Sequence, residues 1–369
     1  MRAALRKRQQ HVPTQPPCVA SQPAAQKNNT DQVCPTESNR ESSSRLRVCP
    51  RLISVLKYLL LMLVIPPFLN YASLQREGTL LQPQVIFDAP TGMSSDVWLW
   101  IQKDVSQLTQ ACIYDRAGLG FSKRIFQNET AGLKTLWRGS TTGRMVDDLH
   151  RLVKEAKLNS PFIFVGSELG ALNARFYAHI HNWEVSDLIL IDPIPEEAFM
   201  EDVWVQYWYK ELLSYHQTQQ FSAAIGLNRM LLIAGLVQPP VMGENISEDF
   251  MRRQKYLLSN PAHLSAVVDE HFFINESISQ VRDILKFKPL SSTTTVTVIT
   301  GDHYDEQLPD SLNKVVTQFQ QQFIAQGYPS AKWIKMKGTD RRMIYRNPKD
   351  VAKQLKKLIS KRKVEQERQ

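Results

Sequence analysis

Residues 162–178 read Phe-Ile-Phe-Val-Gly-Ser-Glu-Leu-Gly-Ala-Leu-Asn-Ala-Arg-Phe-Tyr-Ala. The opening apolar, aromatic run has the length and composition of a buried strand. Gly166 and Gly170 bracket three residues, and an amphipathic helical pattern follows at once. A strand that turns this abruptly into a helix leaves no room for side chains beside the bend, which is why glycines flank it.

The same rhythm extends in both directions. Candidate strands are 85–88, 111–114, 162–165, 188–191, 295–300 and 333–336, most followed by Gly, Pro or Asp and then a helical segment. That alternation predicts an α/β domain with a mostly parallel sheet and helices on both faces. Met145, Leu149, Leu152 and Val153 form one helical stripe; Val351, Leu355, Leu358 and Ile359 form another. Pro348 suits the start of the second helix, where its missing N–H would be unpaired anyway. Between about 196 and 290 the strands stop. Helical patterns with Trp204, Tyr207, Trp208, Tyr215 and Phe221 read as a cap inserted over the sheet, its aromatics serving mainly as packing.

Gly166-Ser167-Glu168-Leu169-Gly170 resembles the nucleophile elbow, G-x-S-x-G, of the α/β-hydrolase superfamily. Tyr114–Gly120 is similar to a strand-end segment of its lipase- and esterase-like members, and Leu188–Pro193 to the strand with an Asp-Pro end. Residues 85–361 can be laid over that pattern. The resemblance implies an α/β-hydrolase fold with a helical cap insertion.

It also implies a triad that is degenerate here. The elbow centre is Glu168, and Ser167 stands one place early, where its side chain points away from substrate. Family members carry a histidine seven residues before the proline that opens the last helix; seven before Pro348 is Arg341. No histidine follows His303, and a guanidinium cannot accept a proton. The acid is Asp302 or Asp305: counting back from Pro309 selects Asp305, counting forward from Gly301 falls on Tyr304. In the loop matching the oxyanion-hole donor, Pro90 stands where the family has glycine, so the donors left are Thr91, Gly92 and, after the elbow, Leu169. Only about ten residues separate the apolar run at 52–74 from the first strand, so the two leading antiparallel strands of many relatives are expected to be truncated or missing.

The rest of the chain bounds the setting. Nine basic and three acidic side chains lie in residues 1–51, so most of the formal charge of +9 belongs to a polar tail that reads as disordered, and no nucleic-acid recognition module accompanies it. Residues 52–74 are almost wholly apolar and read as one transmembrane anchor. Arg45, Arg47, Arg51 and Lys57 flank its N-terminal end and only Arg76 the other. The tail is therefore expected in the cytosol and the domain in the lumen or outside the cell, with a mitochondrial leader as the lesser alternative. Asn128, Asn245 and Asn275 begin glycosylation triplets usable on that side. The globular domain is expected over 75–362 and a charged tail over 363–369.

Of four cysteines only Cys112 lies in the domain, giving neither a disulfide framework nor a metal set. His179 and His181 lie about 200° apart on a helix and share no ion; no cofactor is implied. Asp115 and Arg116 read as supports for the loop after their strand. The sequence thus reads as a membrane-anchored pseudo-hydrolase that binds an apolar small molecule or a protein, with Glu168 and Arg341 as an ion pair filling the old site. The alternative is a hydrolase using Glu168 as a carboxylate nucleophile on an ester or epoxide.

Overall fold

The computed structural model describes residues 57, 63–67, 69, 83–124, 139–241 and 246–366. The tail, most of the 52–74 segment, Asn128 and Asn245 lie outside them. Lys57, 63–67 and residue 69 are helical, but among the described residues no helix is long and apolar enough to cross a membrane. The chain divides into a unit of residues 1–65 and a unit of residues 66–369, and the sheet belongs to the second.

In chain order the second unit forms β1 (Gln84–Asp88), α1 (Leu99–Val105), β2 (Ala111–Ile113), α2 (Thr142–Glu155), β3 (Phe162–Ser167), α3 (Leu169–Ile180) and β4 (Val185–Ile191). The insertion follows as α4 (Asp202–Gln206), a π-helical stretch Tyr207–Leu212, α5 (Leu213–Ala224), α6 (Leu227–Ile233), α7 (Glu248–Leu258), α8 (Pro261–Phe272) and α9 (Ile274–Phe287). Then come β5 (Thr295–Thr300), α10 (Asp310–Gln322), β6 (Lys332–Lys335), α11 (Met343–Arg346) and α12 (Pro348–Gln366). The six strands pair in the order β2-β1-β3-β4-β5-β6, all parallel.

Parallel strands covered on both faces read as continuous apolar runs, and alternate residues of each feed opposite cores. Ile86, Phe162, Phe164, Leu188, Leu190 and Val298 face the layer of α2, α3 and α10. Val85, Phe87, Ile163, Val165, Ile189 and Ile299 face α1 and α12. Both expected helical stripes lie in these layers, although Leu152 itself is exposed. Among its described residues the insertion carries helices joined by turns and no strand, as its lost strand rhythm implied. Its last helix is not cap, however: α9 packs on α2 and α3 and buries Ile274, Ile278 and Val281 in the sheet's own core. Trp204 and Trp208 are buried, but Tyr215 and Phe221 are exposed, so the aromatic cluster is only partly packing.

Candidate functional site

At the C-terminal end of β3 the backbone makes the strained bend that the two glycines announce. Glu168, between β3 and α3, has φ 49° and ψ −113°, a conformation costly for a residue with a Cβ. A Cβ on Gly166 would lie 2.2 Å from the Gly170 carbonyl oxygen, and one on Gly170 would lie 2.5 Å from that of Asp88. These neighbours are backbone and cannot step aside. Gly166→Ala or Gly170→Ala is therefore expected to cost about 1–3 kcal/mol of stability, read from urea unfolding; a loss within about 0.5 kcal/mol would mean the turn relaxes freely. Ser167 is the last ladder residue of β3, opposite Ile191, and is fully buried, away from the apex.

The bend delivers Glu168 to Arg341. The guanidinium donates from Nη1 to Glu168 Oε1 at 2.9 Å and from Nε to Asp305 Oδ2 at 2.7 Å. Arg342 donates to the same Asp305 oxygen at 3.0 Å. The carboxylates are buried, and Arg341 keeps one fifth of its side chain exposed. Local backbone fixes this meeting: the Arg341 N–H donates to the Tyr304 carbonyl at 2.8 Å, and the Asp305 N–H to Asn313 Oδ1 at 2.9 Å. Burial opposes the charge on Arg341, but Glu168 foremost, with Tyr304 and Asp305, holds its pKa well above the ordinary value. Burial raises Asp305, yet Arg341 and the Gln307 N–H outweigh it and hold the carboxyl below the usual range. Of the two candidate acids, Asp305 is the one that meets Arg341. Asp302 turns away to the Gly338 N–H at 2.6 Å and toward Lys335.

The loop at 90–92, read from the sequence as a possible oxyanion-hole donor, has one of its N–H groups already engaged. The Gly92 N–H is not a free donor; it is spent on Glu270 Oε2 of α8 at 2.8 Å. Arg116 grips the same carboxylate with Nε and Nη2 at 2.7 and 2.8 Å, Asp88 at 2.6 Å, and the carbonyls of Ala89 and Pro90. Arg116 therefore ties the cap to the loop, a larger task than supporting its own turn; Asp115 does that, accepting from the Ser95 and Phe121 N–H groups. The Thr91 hydroxyl is buried with no partner among the described residues. The Leu169 N–H lies in the first turn of α3, where no intrahelical acceptor exists.

The cap supplies groups the sequence reading missed. His271 of α8 and His216 of α5 lie with ring centroids 4.2 Å apart, and His271 Nδ1 meets the Val267 carbonyl at 2.8 Å. A Cβ on Gly92 would lie 3.0 Å from the His271 ring. Burial, then the neighbouring charge of Arg341, lowers His216 to about 4; burial, the paired His216 and Arg341 also keep His271 neutral. The Glu270-His271 pair gave no periodic or motif signal. Trp204 packs edge-on against Tyr304 at 5.8 Å, and Trp208 donates to the His271 carbonyl at 2.9 Å.

One further cluster stands at the opposite end of the sheet. His181 meets not His179 but His150 and Glu184, whose ligand atoms lie within 4.8 Å of one another. The two imidazoles are stacked 3.9 Å apart and parallel within 4°, so one ion cannot lie in both ring planes. The cluster instead hydrogen-bonds through Tyr177, whose hydroxyl donates to Glu184 at 2.6 Å and meets His150 at 3.1 Å.

No family model matches the chain. Over 109 residues, 30% of this chain and 39% of the other, it is 27% identical to the uncharacterized protein YqjL of Bacillus subtilis (strain 168), so the match spans well under half of that relative. Among solved structures, Cfl2 of Burkholderia cenocepacia is similar at a TM-score of 0.55 and 14% identity, over 76% of this chain and 88% of that one. A loop variant of haloalkane dehalogenase DbeA from Bradyrhizobium elkanii gives 0.54 and 14%, over 78% and 93%. A carboxylesterase structure from the thaumarchaeon Nitrososphaera gargenis gives 0.50 and 16%, over 76% and 92%. At these identities the likeness is one of architecture, and it places this chain among proteins of the α/β-hydrolase fold.

Proposed function

We propose that the chain is a membrane-anchored, non-catalytic α/β-hydrolase-fold protein whose capped site binds a ligand or a protein partner. The observation that carries this reading is Arg341, which occupies the base position and bridges the elbow residue and the acid at 2.9 and 2.7 Å. A permanently protonated guanidinium cannot take a proton from a nucleophile or a water. It holds Glu168 in an ion pair, which lowers the carboxylate's availability for attack. The anchor rests on the apolar run at 52–74 and the basic flank before it. Asn275 is exposed on the first turn of α9, compatible with a glycan on a luminal domain. A glycosidase-sensitive mobility shift is expected from the full chain, abolished when all three acceptor asparagines are changed to Gln. An unshifted band in the secretory pathway would reverse the proposed orientation.

One observation favours a second reading. His216 and His271, neutral and close enough to feel Arg341, give the site imidazoles that the triad order does not. A carboxylate nucleophile at Glu168 would open an epoxide to give an alkyl ester, or displace the alcohol of an ester to give a mixed anhydride, and water activated by a cap histidine would then cleave that intermediate. The purified full chain is expected to leave a fluorophosphonate probe unreacted and to turn over no ester or epoxide in a panel. Turnover that disappears in both Glu168→Gln and His271→Gln would replace the first reading with the second. Activity appearing only in Glu168→Ser/Arg341→His would support the first, since the scaffold then lacks nothing but the exchanged side chains.

A further inference from the structure

The outer edge of the cap is unlike the rest of the surface. From Phe221 to Val241 the chain has a single charged side chain, Arg229. In α6, Asn228 and Leu232 are buried on one side, while Leu227, Met230 and Ile233 point outward; Ile233 is 82% exposed. Phe221 and Ile225 before α6 and Leu236 after it extend the exposed apolar face, Leu236 at 74%. Single exposed apolar residues need no explanation, but a contiguous set on neighbouring helices marks an interaction surface.

Cations border this face. Arg229, Arg252 and Lys255 line a shallow cleft together with Leu232, Ile233 and Tyr256. Of the three, Arg252 has a carboxylate within 4 Å, Asp249 at 3.6 Å, and both of those side chains are largely exposed, so the pair is weak. An apolar stripe beside a basic cleft is the composition of a surface that sits at the headgroup level of an anionic bilayer, with apolar side chains below and cations against phosphates. A second copy of the chain fits less well, because a two-fold contact through this face would bring two such basic clefts together.

We infer that the α5–α6 edge of the cap, with α7 beside it, docks onto anionic phospholipid membrane through Met230, Ile233 and Leu236, with Arg229, Arg252 and Lys255 on the headgroup phosphates. This contact is independent of the state of the Glu168–Arg341 site and adds to any anchor at 52–74; it requires anionic lipid in whichever leaflet faces the domain.

The test uses the full chain with its four cysteines changed to Ser and an environment-sensitive NBD probe on Met230→Cys. A second preparation carries the probe on Lys314→Cys, in α10. Both are reconstituted in phosphatidylcholine vesicles with and without phosphatidylserine, with brominated acyl chains as quenchers. The Met230 probe is expected to blue-shift and be quenched in vesicles with phosphatidylserine and the Lys314 probe to stay in water. Each cation contributes about fivefold to the docked equilibrium, so Arg229→Glu/Lys255→Glu should lower it by at least about 25-fold. Equal quenching at both positions, no response to phosphatidylserine, or a blue shift that follows protein rather than lipid concentration would each overturn the proposal, the last in favour of self-association.

Discussion

Arg116→Met is expected to cost about 5 kcal/mol or more and to leave the domain largely unfolded at 37 °C. The guanidinium is buried and holds two carboxylates, Asp88 and Glu270, and two backbone carbonyls, so five hydrogen bonds end on it. Burial opposes its charge, but Glu270 and Asp88 more than compensate and raise its pKa. Removal leaves two buried anions with no cation, and breaking one such pair typically costs about 3–5 kcal/mol. Among the described residues Asp88 would keep the amide of Asn173, at 2.9 Å, and Glu270 the Gly92 N–H, but neither would have a cation. Arg116→Lys should recover little, because a single ammonium cannot span the fork that reaches Glu270 by two bonds and Asp88 by a third. Urea unfolding followed by far-UV circular dichroism measures both. A shift within about 1 kcal/mol of the parent would show that the network relaxes around water and does not hold the cap.

The second large effect is at the elbow. Arg341→Met is expected to destabilise by about 3 kcal/mol at pH 7, chiefly through Glu168, since Asp305 retains Arg342. Glu168→Gln/Arg341→Met should recover most of that loss, because the amide needs no counter-charge. A double-mutant cycle in which the two single losses simply add would deny the pairing. The pH dependence has a definite sign. Asp305 is held below its ordinary value, so it contributes stability above the unfolded carboxylate pKa of about 4, which is lost as pH falls through its lower native value. In Arg341→Met the raising effect of burial meets a weaker opposing charge. The parent's advantage from Asp305 should therefore be present at pH 6–7 and shrink steadily below about pH 4.

The sheet was legible because parallel strands covered on both faces cannot hide polar residues. The strand at 295–300, Thr-Val-Thr-Val-Ile-Thr, has the bounds its β-branched run implied and stops at Gly301. The start of β4 was missed because Ser186 and Asp187 look like loop, yet Asp187 is satisfied by Arg362 at 3.1 Å from a helix far along the chain. Arg341 was legible by counting back from Pro348, a local measure along one loop. Asp305 was not, since two counts disagreed and only the reach of Arg341 separates it from Asp302. Glu270, His216 and His271 were illegible for a different reason. Glu270 meets Arg116 across 154 residues of sequence, and nothing in the spacing of a cap helix encodes which loop it will land on.

Glu270 has a consequence for anything that enters beneath the cap. Its carboxylate already sits on the backbone donor at Gly92 and the guanidinium behind it. The molecule thus carries a tethered competitor for its own anion-binding groups, present at an effective concentration of at least about millimolar. A free carboxylate or phosphate arriving there must displace a rival that never diffuses away, so occupancy of those donors is governed by how readily α8 lifts and not by the ligand's charge alone.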